Sequence, residues 1–298
     1  MPNQPIASAK RKVALVLSSG GSRGYAHIGA IEALVESGYE ITSVAGSSMG
    51  ALIGGIYAAG HLSEVKEWFC TLTRRDVFSL IDISLGINHV VKGDRVMRRL
   101  QEIVPDVRIE HLNIPYCAVA TDVRSDAPVV FRSGSLFEAI RASISMPTLF
   151  RPVERDGLLL IDGAISNGLP LTEVARTDGD LLVASNVSAP ARHIHPSGTT
   201  PSRRNPFVSR LIHSDLAEAN VVSLVSDSMH ILIQKNISLQ LQLTPPDMLL
   251  EMPMNSYNFD YDKCAAIADR GHRLMLKAIN RYEKSHHLPS SPQAQTNL

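Results

Sequence analysis

Two short apolar runs, each ending in a glycine-rich turn that leads at once into a helix-period segment, constrain this chain more than any other feature. The first reads VALVLSSGGSRGYAHIGA and the second ITSVAGSSMGALIGG. Residues 13–18 are continuously apolar at their start, as in a strand buried on both faces. Residues 25–37 then place Ile28, Ile31, Leu34 and Val35 at helical spacing, with Gly38 as a stop. Residues 41–45, the turn 46–50 and the helix 51–59 repeat the pattern before Gly60. Two consecutive strand–turn–helix units predict a mostly parallel sheet with right-handed crossovers.

The same reading extends downstream. Residues 63–72, 93–103 and 135–142 are expected to be helical, and 115–120, 128–132, 158–161 and 181–186 to be strands. Residues 206–237 read as one or two amphipathic helices, 248–252 as a strand and 261–282 as a helix. Organisation follows from composition along the chain. A flexible N-terminus is expected over 1–11 and one α/β domain over 12–283. A Pro/Ser/Thr/Arg-rich mobile loop is expected over 188–205, and a disordered tail over 284–298.

Bulk composition excludes several function classes. Lys plus Arg and Asp plus Glu both total 29 in 298 residues, which is not the basic footprint of a nucleic-acid binder. Cys70, Cys117 and Cys264 are odd in number and far apart, with no CxxC pair. Neither a disulfide framework nor a thiolate zinc site is expected, and a reducing, cytoplasmic compartment fits. The basic and apolar start KRKVALVL is too short for a secretory leader, and residues 44–60 are too short and too Ser/Gly-punctuated for a membrane span. A soluble protein is expected.

The second turn carries the clearest chemistry. Gly46-Ser47-Ser48-Met49-Gly50 satisfies G-x-S-x-G only with Ser48 at its centre. A nucleophile on a sharp strand-to-helix turn needs glycine two positions to either side, because side chains there collide. The helix that follows aims its N-terminal N–H groups at the serine. The first turn, Ser19-Gly20-Gly21-Ser22-Arg23-Gly24, suits a phosphate or an oxyanion. No frame gives G-x-G-x-x-G, and no Gly-Lys-Ser/Thr follows. A separate loop contributing an oxyanion hole is what a serine hydrolase requires. A tight turn with no ligand is the alternative.

A serine nucleophile needs a base. Among the 11 histidines, His27 lies on the first helix, His61 follows a helix end, His193 and His195 sit in the Pro/Ser-rich loop, and His286 and His287 lie in the tail. None follows a strand. Asp162 does, in GLLLIDGAISNGLP, where a side chain at the carboxyl edge of the sheet reaches the crevice of Ser48. An Asx-turn or helix cap is the other use of such an Asp-Gly pair. The residues alone leave Asp162 and a histidine both open as the base.

SSGGSRG, GSSMG and DGA, in this order and at these separations, resemble the patatin-like phospholipases, and more specifically their bacterial, neuropathy-target-esterase-related branch. ATDVRSDAPVVFRSGSLFEAIRASISMPTLFRPV fits the same branch, and the resemblance spans residues 12–187. It implies a three-layer α/β/α patatin-like fold with a mostly parallel central sheet and C-terminal helices. It also implies a Ser–Asp dyad with no histidine. Ser48 matches the nucleophile, flanked by the elbow glycines Gly46 and Gly50. Asp162 matches the base of the D-G-G/A motif, with Gly163 and Ala164. Gly20, Gly21, Arg23 and Gly24 match the oxyanion loop, with Ser22 between them, and Ser19 stands where the family usually has its first glycine.

The reaction so implied is hydrolysis of acyl esters of phospholipids or lysophospholipids through an acyl-enzyme, with no cofactor and no metal. Backbone N–H groups near residues 20–22 bind the oxyanion, and Arg23 anchors the loop or meets a lipid phosphate. Peripheral membrane contact and homo-oligomer formation stay open; nucleic acid is not an expected partner. The alternatives are a regulatory or lipid-binding protein with little turnover and an acyltransferase using the same dyad. The apolar stretches 78–91 and 206–237 border an acyl pocket or touch a membrane, unless they are ordinary core.

Overall fold

The computed structural model describes residues 11–81, 94–147, 150–190, 221–257 and 260–287. The two expected units open the chain. β1 (Arg11–Leu17) reaches α1 (Ala26–Glu36) through a 3₁₀ turn at Gly21–Tyr25, and β2 (Tyr39–Ser47) runs directly into α2 (Met49–Ala58). Helices α3 (Leu62–Thr71), α4 (Arg74–Ile81) and α5 (Asp94–Ile103) follow. Then come β3 (Tyr116–Asp122), β4 (Ala127–Phe131), α6 (Leu136–Ser143), β5 (Val153–Arg155), β6 (Leu158–Asp162) and the short α7 (Ala164–Asn167). The chain continues with β7 (Leu181–Ala189), α8 (Val221–Leu243), β8 (Met248–Pro253) and α9 (Cys264–Ser285).

Five strands run parallel in the order β3-β2-β1-β7-β8. β1 is central, and the chain moves outward from it first to β2 and later to β7. The strand order therefore reverses at β1, and a ligand crevice is expected beyond the carboxyl ends of the strands there. The continuous apolar run of β1 is explained by two covered faces. Val13, Leu15 and Leu17 pack with Ile28, Ile31, Ile53 and Ile267 on the side of α1, α2 and α9. Ala14 and Val16 pack with Leu169, Leu171, Ile233 and Ile237 on the side of α7 and α8. The three-layer α/β/α arrangement is thus present, with the sheet between two helical layers.

Beyond β3 the sheet changes character. β4 pairs antiparallel along Ala118–Asp122 of β3, which occupies one edge of that strand. The other edge is shared. β2 takes Tyr116–Val119 in parallel, and β6 takes Ala120–Asp122 antiparallel. β2 and β6 therefore run toward each other along one edge of β3 and stop at neighbouring registers, Ser47 opposite Val119 and Asp162 opposite Ala120.

Several expected boundaries move. β7 continues to Ala189, so residues 188–189 belong to a strand and not to a mobile loop, because Ser188 is buried and donates to Ser19 O at 2.7 Å. The remainder of the expected loop, apart from residue 190, lies outside the described residues, as do residues 1–10 and 288–298. α9 runs to Ser285, into the expected tail. Of residues 206–237, those from Val221 onward form a single helix, and that helix extends to Leu243. Residues 74–81 of the chain form α4, which takes in the start of the apolar stretch at 78–91; residues 82–91 lie outside the described residues.

Arg11, expected in the flexible N-terminus, starts β1. Its Nη1 donates to Glu283 Oε1 at 2.8 Å and to the Tyr39 hydroxyl at 2.9 Å, and Tyr39 also donates to Glu283 at 3.2 Å. Glu283 on α9 is only 2% exposed. A carboxylate so shielded depends on its cation. Arg11→Met is expected to lower unfolding free energy by about 2 kcal/mol. The double variant Arg11→Met/Glu283→Leu should recover most of that loss in urea denaturation. A double variant as unstable as the single one would remove the pairing as the cause.

Candidate active site

Ser48 sits at the junction of β2 and α2 with φ 54° and ψ −124°. This is left-handed backbone that non-glycine residues adopt only under constraint, and it is held here by close packing on both sides. A Cβ on Gly46 would lie 2.4 Å from the carbonyl of Gly50, and one on Gly50 would lie 2.2 Å from the carbonyl oxygen of Leu17. Glycine at both positions is thus a steric requirement of the turn. The Ser48 N–H donates to Ser143 Oγ at 2.9 Å, and Ser143 Oγ donates onward to Val119 O at 2.6 Å. The end of α6 in this way pins the turn to β3.

The head-on meeting of β2 and β6 brings the next pair together. Ser48 Oγ donates to Asp162 Oδ2 at 2.6 Å. The other carboxylate oxygen, Oδ1, accepts the N–H of Ala164 at 2.8 Å. The Asp162 backbone is held on both sides, its N–H by Ser145 O at 3.0 Å and its carbonyl by Thr121 Oγ1 at 2.9 Å. Asp162 is fully buried, whereas Ser48 keeps 8% of its surface open. Among the described residues no Lys, Arg or His forms an ion pair with Asp162. Burial pushes its pKa up to about 7, against the lowering effect of the hydrogen bonds from Ser48 and Ala164.

The first glycine-rich turn lies against the same elbow. A Cβ on Gly24 would meet Met49 Cβ at 2.4 Å. Gly21 has φ 55°, and among the described residues no carbonyl accepts from the N–H of Gly20 or Gly21. Ser19 donates its N–H to Gly168 O at 3.0 Å. Arg23 is buried, its Nε donating to Val187 O at 2.9 Å and its Nη1 to Met254 O at 3.2 Å and Tyr257 O at 3.3 Å. Ser22 Oγ also donates to Tyr257 O, at 3.3 Å. Arg23 therefore anchors the loop.

A sequence profile of the patatin-like phospholipases matches residues 15–175, more than half of the chain. The chain belongs to the patatin-like phospholipase family. An uncharacterized NTE family protein of Mycobacterium tuberculosis is 42% identical over 214 residues, covering 70% of this chain and 58% of that protein. The human patatin-like phospholipase domain-containing protein 6 is 30% identical over 268 residues, or 84% of this chain and 19% of its own length. Among solved structures, VipD from Legionella pneumophila superposes with a TM-score of 0.58 at 16% identity. That match covers 92% of this chain and 68% of VipD, and it supports the shared fold. The chain spans a little over half of the mycobacterial relative and a fifth of the human one.

Among the described residues no histidine is hydrogen-bonded to the side chain of Ser48 or Asp162. His27 is fully buried, its Nε2 against Ser18 O at 2.8 Å and its Nδ1 against Ser185 Oγ at 2.9 Å. Burial lowers its pKa to about 4, so the ring is neutral and braces the end of β1 against the middle of β7. His61 precedes α3, and His286 bonds to Tyr282 O at 2.9 Å. His193 and His195 lie outside the described residues. Ser47 is buried, its hydroxyl 2.8 Å from where a Cβ on Gly163 would stand and without a hydrogen-bond partner among the described residues.

Sequence reasoning missed three neighbours. Ser143 has no motif of its own; the only signal is a small polar residue ending an amphipathic helix in ASIS. Tyr261 places its hydroxyl 3.4 Å from where a Cβ on Gly21 would stand, and its phenol is raised to about 12 chiefly by desolvation, so it stays protonated. His230 on α8 is lowered by burial and by the charge of Arg23. Both enter from sequence-distant segments.

A stability consequence follows from Asp162. Its folded pKa of about 7 lies above the ordinary value of about 3.9. Between these values the unfolded chain has lost a proton that the folded protein retains, so stability falls as pH rises across that window. Above pH 7 the buried charge is a standing cost. Asp162→Asn should therefore be more stable than wild type at pH 8, by on the order of 2–4 kcal/mol, and nearly equal at pH 4.5. Chemical denaturation at both pH values measures this; equal gains at both would show that burial of the charge is not the cause.

Proposed function

We propose that the protein is a serine acyl hydrolase that cleaves acyl esters of phospholipids or lysophospholipids, with Ser48 as nucleophile and Asp162 as its base. The observation that carries this reading is the 2.6 Å contact between Ser48 Oγ and a fully buried aspartate with no ion-pair partner among the described residues. An ordinary carboxylate is too weak a base for an alcohol, and its affinity for the proton must be raised by its surroundings. Burial does that for Asp162, leaving it partly ionised at neutral pH and able to accept a proton.

In the first half-reaction Ser48 Oγ attacks the acyl carbonyl while its proton passes to Asp162 Oδ2. The oxyanion that forms lies against backbone donors. The N–H of Ser48 is engaged by Ser143, so the elbow contributes the N–H of Met49, beside those of Gly20 and Gly21. Each such donor is worth about 100- to 1000-fold in rate. Collapse breaks the ester C–O bond, and the leaving alkoxide takes the proton from Asp162. Water then attacks the acyl-enzyme with Asp162 again as base. Arg23 enters as the anchor of this loop.

Ser48→Ala and Asp162→Asn are each expected to lower kcat for a soluble p-nitrophenyl ester by about 1000-fold or more. In the wild type kcat/KM should rise with pH through about 7, because only ionised Asp162 accepts the proton. A fluorophosphonate should label Ser48. An Asp162→Asn enzyme as fast as wild type, or a label on Ser47, would remove the dyad.

The substrate class brings a lipid surface with it, and α8 offers a face for one. Over 23 residues it carries only Asp227 and Lys235 as acidic or basic charges. Its solvent side bears Leu224, Val225, Ile231, Leu232, Leu239 and Leu243, the last two being 59% and 82% exposed. An exposed apolar strip of this kind marks a contact surface, and a lipid surface is the contact that the substrate class supplies. No helix among the described residues is long and apolar enough to cross one. The reading carries a cytoplasmic, membrane-peripheral location with it. Leu232→Glu/Leu243→Glu should weaken co-sedimentation with phosphatidylcholine vesicles by about tenfold or more, with hydrolysis of the soluble ester unchanged. Undiminished vesicle binding would take α8 out of the contact.

A further inference from the structure

Cys70 and Cys264 are separated by 194 positions in the chain, yet their sulfurs stand 2.7 Å apart. Composition argued against any disulfide, but the fold makes this pair adjacent. Cys70 is exposed on the last turn of α3, and Cys264 is buried as the first residue of α9. The third cysteine, Cys117, is buried on β3, its Sγ 3.4 Å from Glu173 O. A disulfide bond is ~2.05 Å long, so the two sulfurs, 2.7 Å apart, are in contact just beyond bonding distance.

The pair lies directly behind the glycine-rich loop. Phe69, next to Cys70, stacks on Tyr25 at 5.0 Å between ring centroids, and Tyr25 closes the 3₁₀ turn of that loop. Tyr25 also meets the Tyr261 ring edge-on at 6.2 Å and donates to Tyr261 O at 3.4 Å. Tyr257 O, in the same segment that leads into Cys264, holds Ser22 and Arg23. The two cysteines therefore bracket the wall on which the loop is hung.

We propose that Cys70 and Cys264 form a reversible disulfide on exposure to a peroxide, stapling the end of α3 to the start of α9. Cys70 is the solvent-facing thiol and reacts first, since burial and the neighbouring sulfur hold the Cys264 thiol protonated. Attack of the Cys70 thiolate on the peroxide O–O bond forms a sulfenic acid and releases hydroxide. The Cys264 sulfur then attacks the Cys70 sulfur, the S–S bond forms, and the sulfenic oxygen leaves as water with the Cys264 thiol proton. Two thiols lose two electrons and two protons, and hydrogen peroxide becomes two waters. Lys66, one turn before Cys70 and paired with Glu32 at 2.6 Å, is the nearest cation on α3.

The test treats the full-length reduced protein with hydrogen peroxide and reads thiols, peptides and melting. Titratable thiols should fall from three to one, leaving Cys117. Non-reducing peptide mass spectrometry should find the peptides of Cys70 and Cys264 joined. The melting temperature should rise by on the order of 5–10 °C, because the bond closes a long loop of the unfolded chain. Dithiothreitol should reverse all three. Cys70→Ser, an exposed substitution that leaves the core intact, should abolish both the cross-link and the rise. Oxidation of Cys70 only to sulfinic acid, dimers joined through Cys70, or an unchanged melting temperature with two thiols lost would each overturn the proposal. None of these readouts depends on ester hydrolysis.

Discussion

β3 gives one of its edges to two strands that run toward each other, and the site depends on where they stop. β2 occupies the edge as far as Val119, and β6, coming from the other end, stops opposite Ala120. The side chains that follow are then forced into the same small volume at the carboxyl end of the sheet. A slip of one residue in either strand would turn its terminal side chain to the opposite face. The register is secured by several bonds that have nothing to do with chemistry. Ser143 bridges the elbow N–H to Val119 O, Ser145 O takes the Asp162 N–H, and Thr121 Oγ1 takes the Asp162 carbonyl. Buried polar groups of this kind are costly unless satisfied, so each also fixes a position.

The electrostatics of the pair follow from what surrounds Asp162. A carboxylate beside a guanidinium would be held ionised and would be a poor proton acceptor. Arg23, buried and close enough to influence Tyr261 and His230, donates to the carbonyls of Val187, Met254 and Tyr257. Asp162 is left with two neutral donors, one on each oxygen. The upward shift of its pKa is a standing cost to the fold above neutral pH. Functional sites commonly hold such unfavourable features in place through the rest of the structure.

Local patterns carried the parts of this arrangement that are local. The two strand–turn–helix units, the G-x-S-x-G frame around Ser48 and the strand-end position of Asp162 are readable because each is set by a few consecutive residues. Asp162 is instructive, since its two oxygens part: Oδ1 makes the Asx-type bond to Ala164 while Oδ2 accepts from Ser48 Oγ. What the pattern could not carry is non-local. The antiparallel β6 ends beside β2 only because β3 shares its edge. Ser143 acts through a helix whose sequence is unexceptional, and Tyr261 and Cys264 enter from a hundred residues downstream of Asp162. α4 escaped, and the bounds of α8 were not readable, since an apolar stretch with mixed periodicity does not separate pocket lining, core and surface.

The glycine-rich loop shows how far a site extends beyond its motif. The family profile ends at residue 175, yet the carbonyls that hold Arg23 belong to Val187 on β7 and to Met254 and Tyr257 after β8. A guanidinium with several rigid donors loses little freedom per bond and is suited to fixing backbone from separate elements. Backbone N–H groups can point at an anion only where the carbonyls and side chains of their loop are tied elsewhere. Ser19 fits this logic despite replacing a glycine. Its N–H is taken by Gly168 O and its carbonyl by Ser18 and Ser188, so it serves as the root of the loop. The segments after residue 175 thus fix the backbone of the loop that carries Gly20 and Gly21.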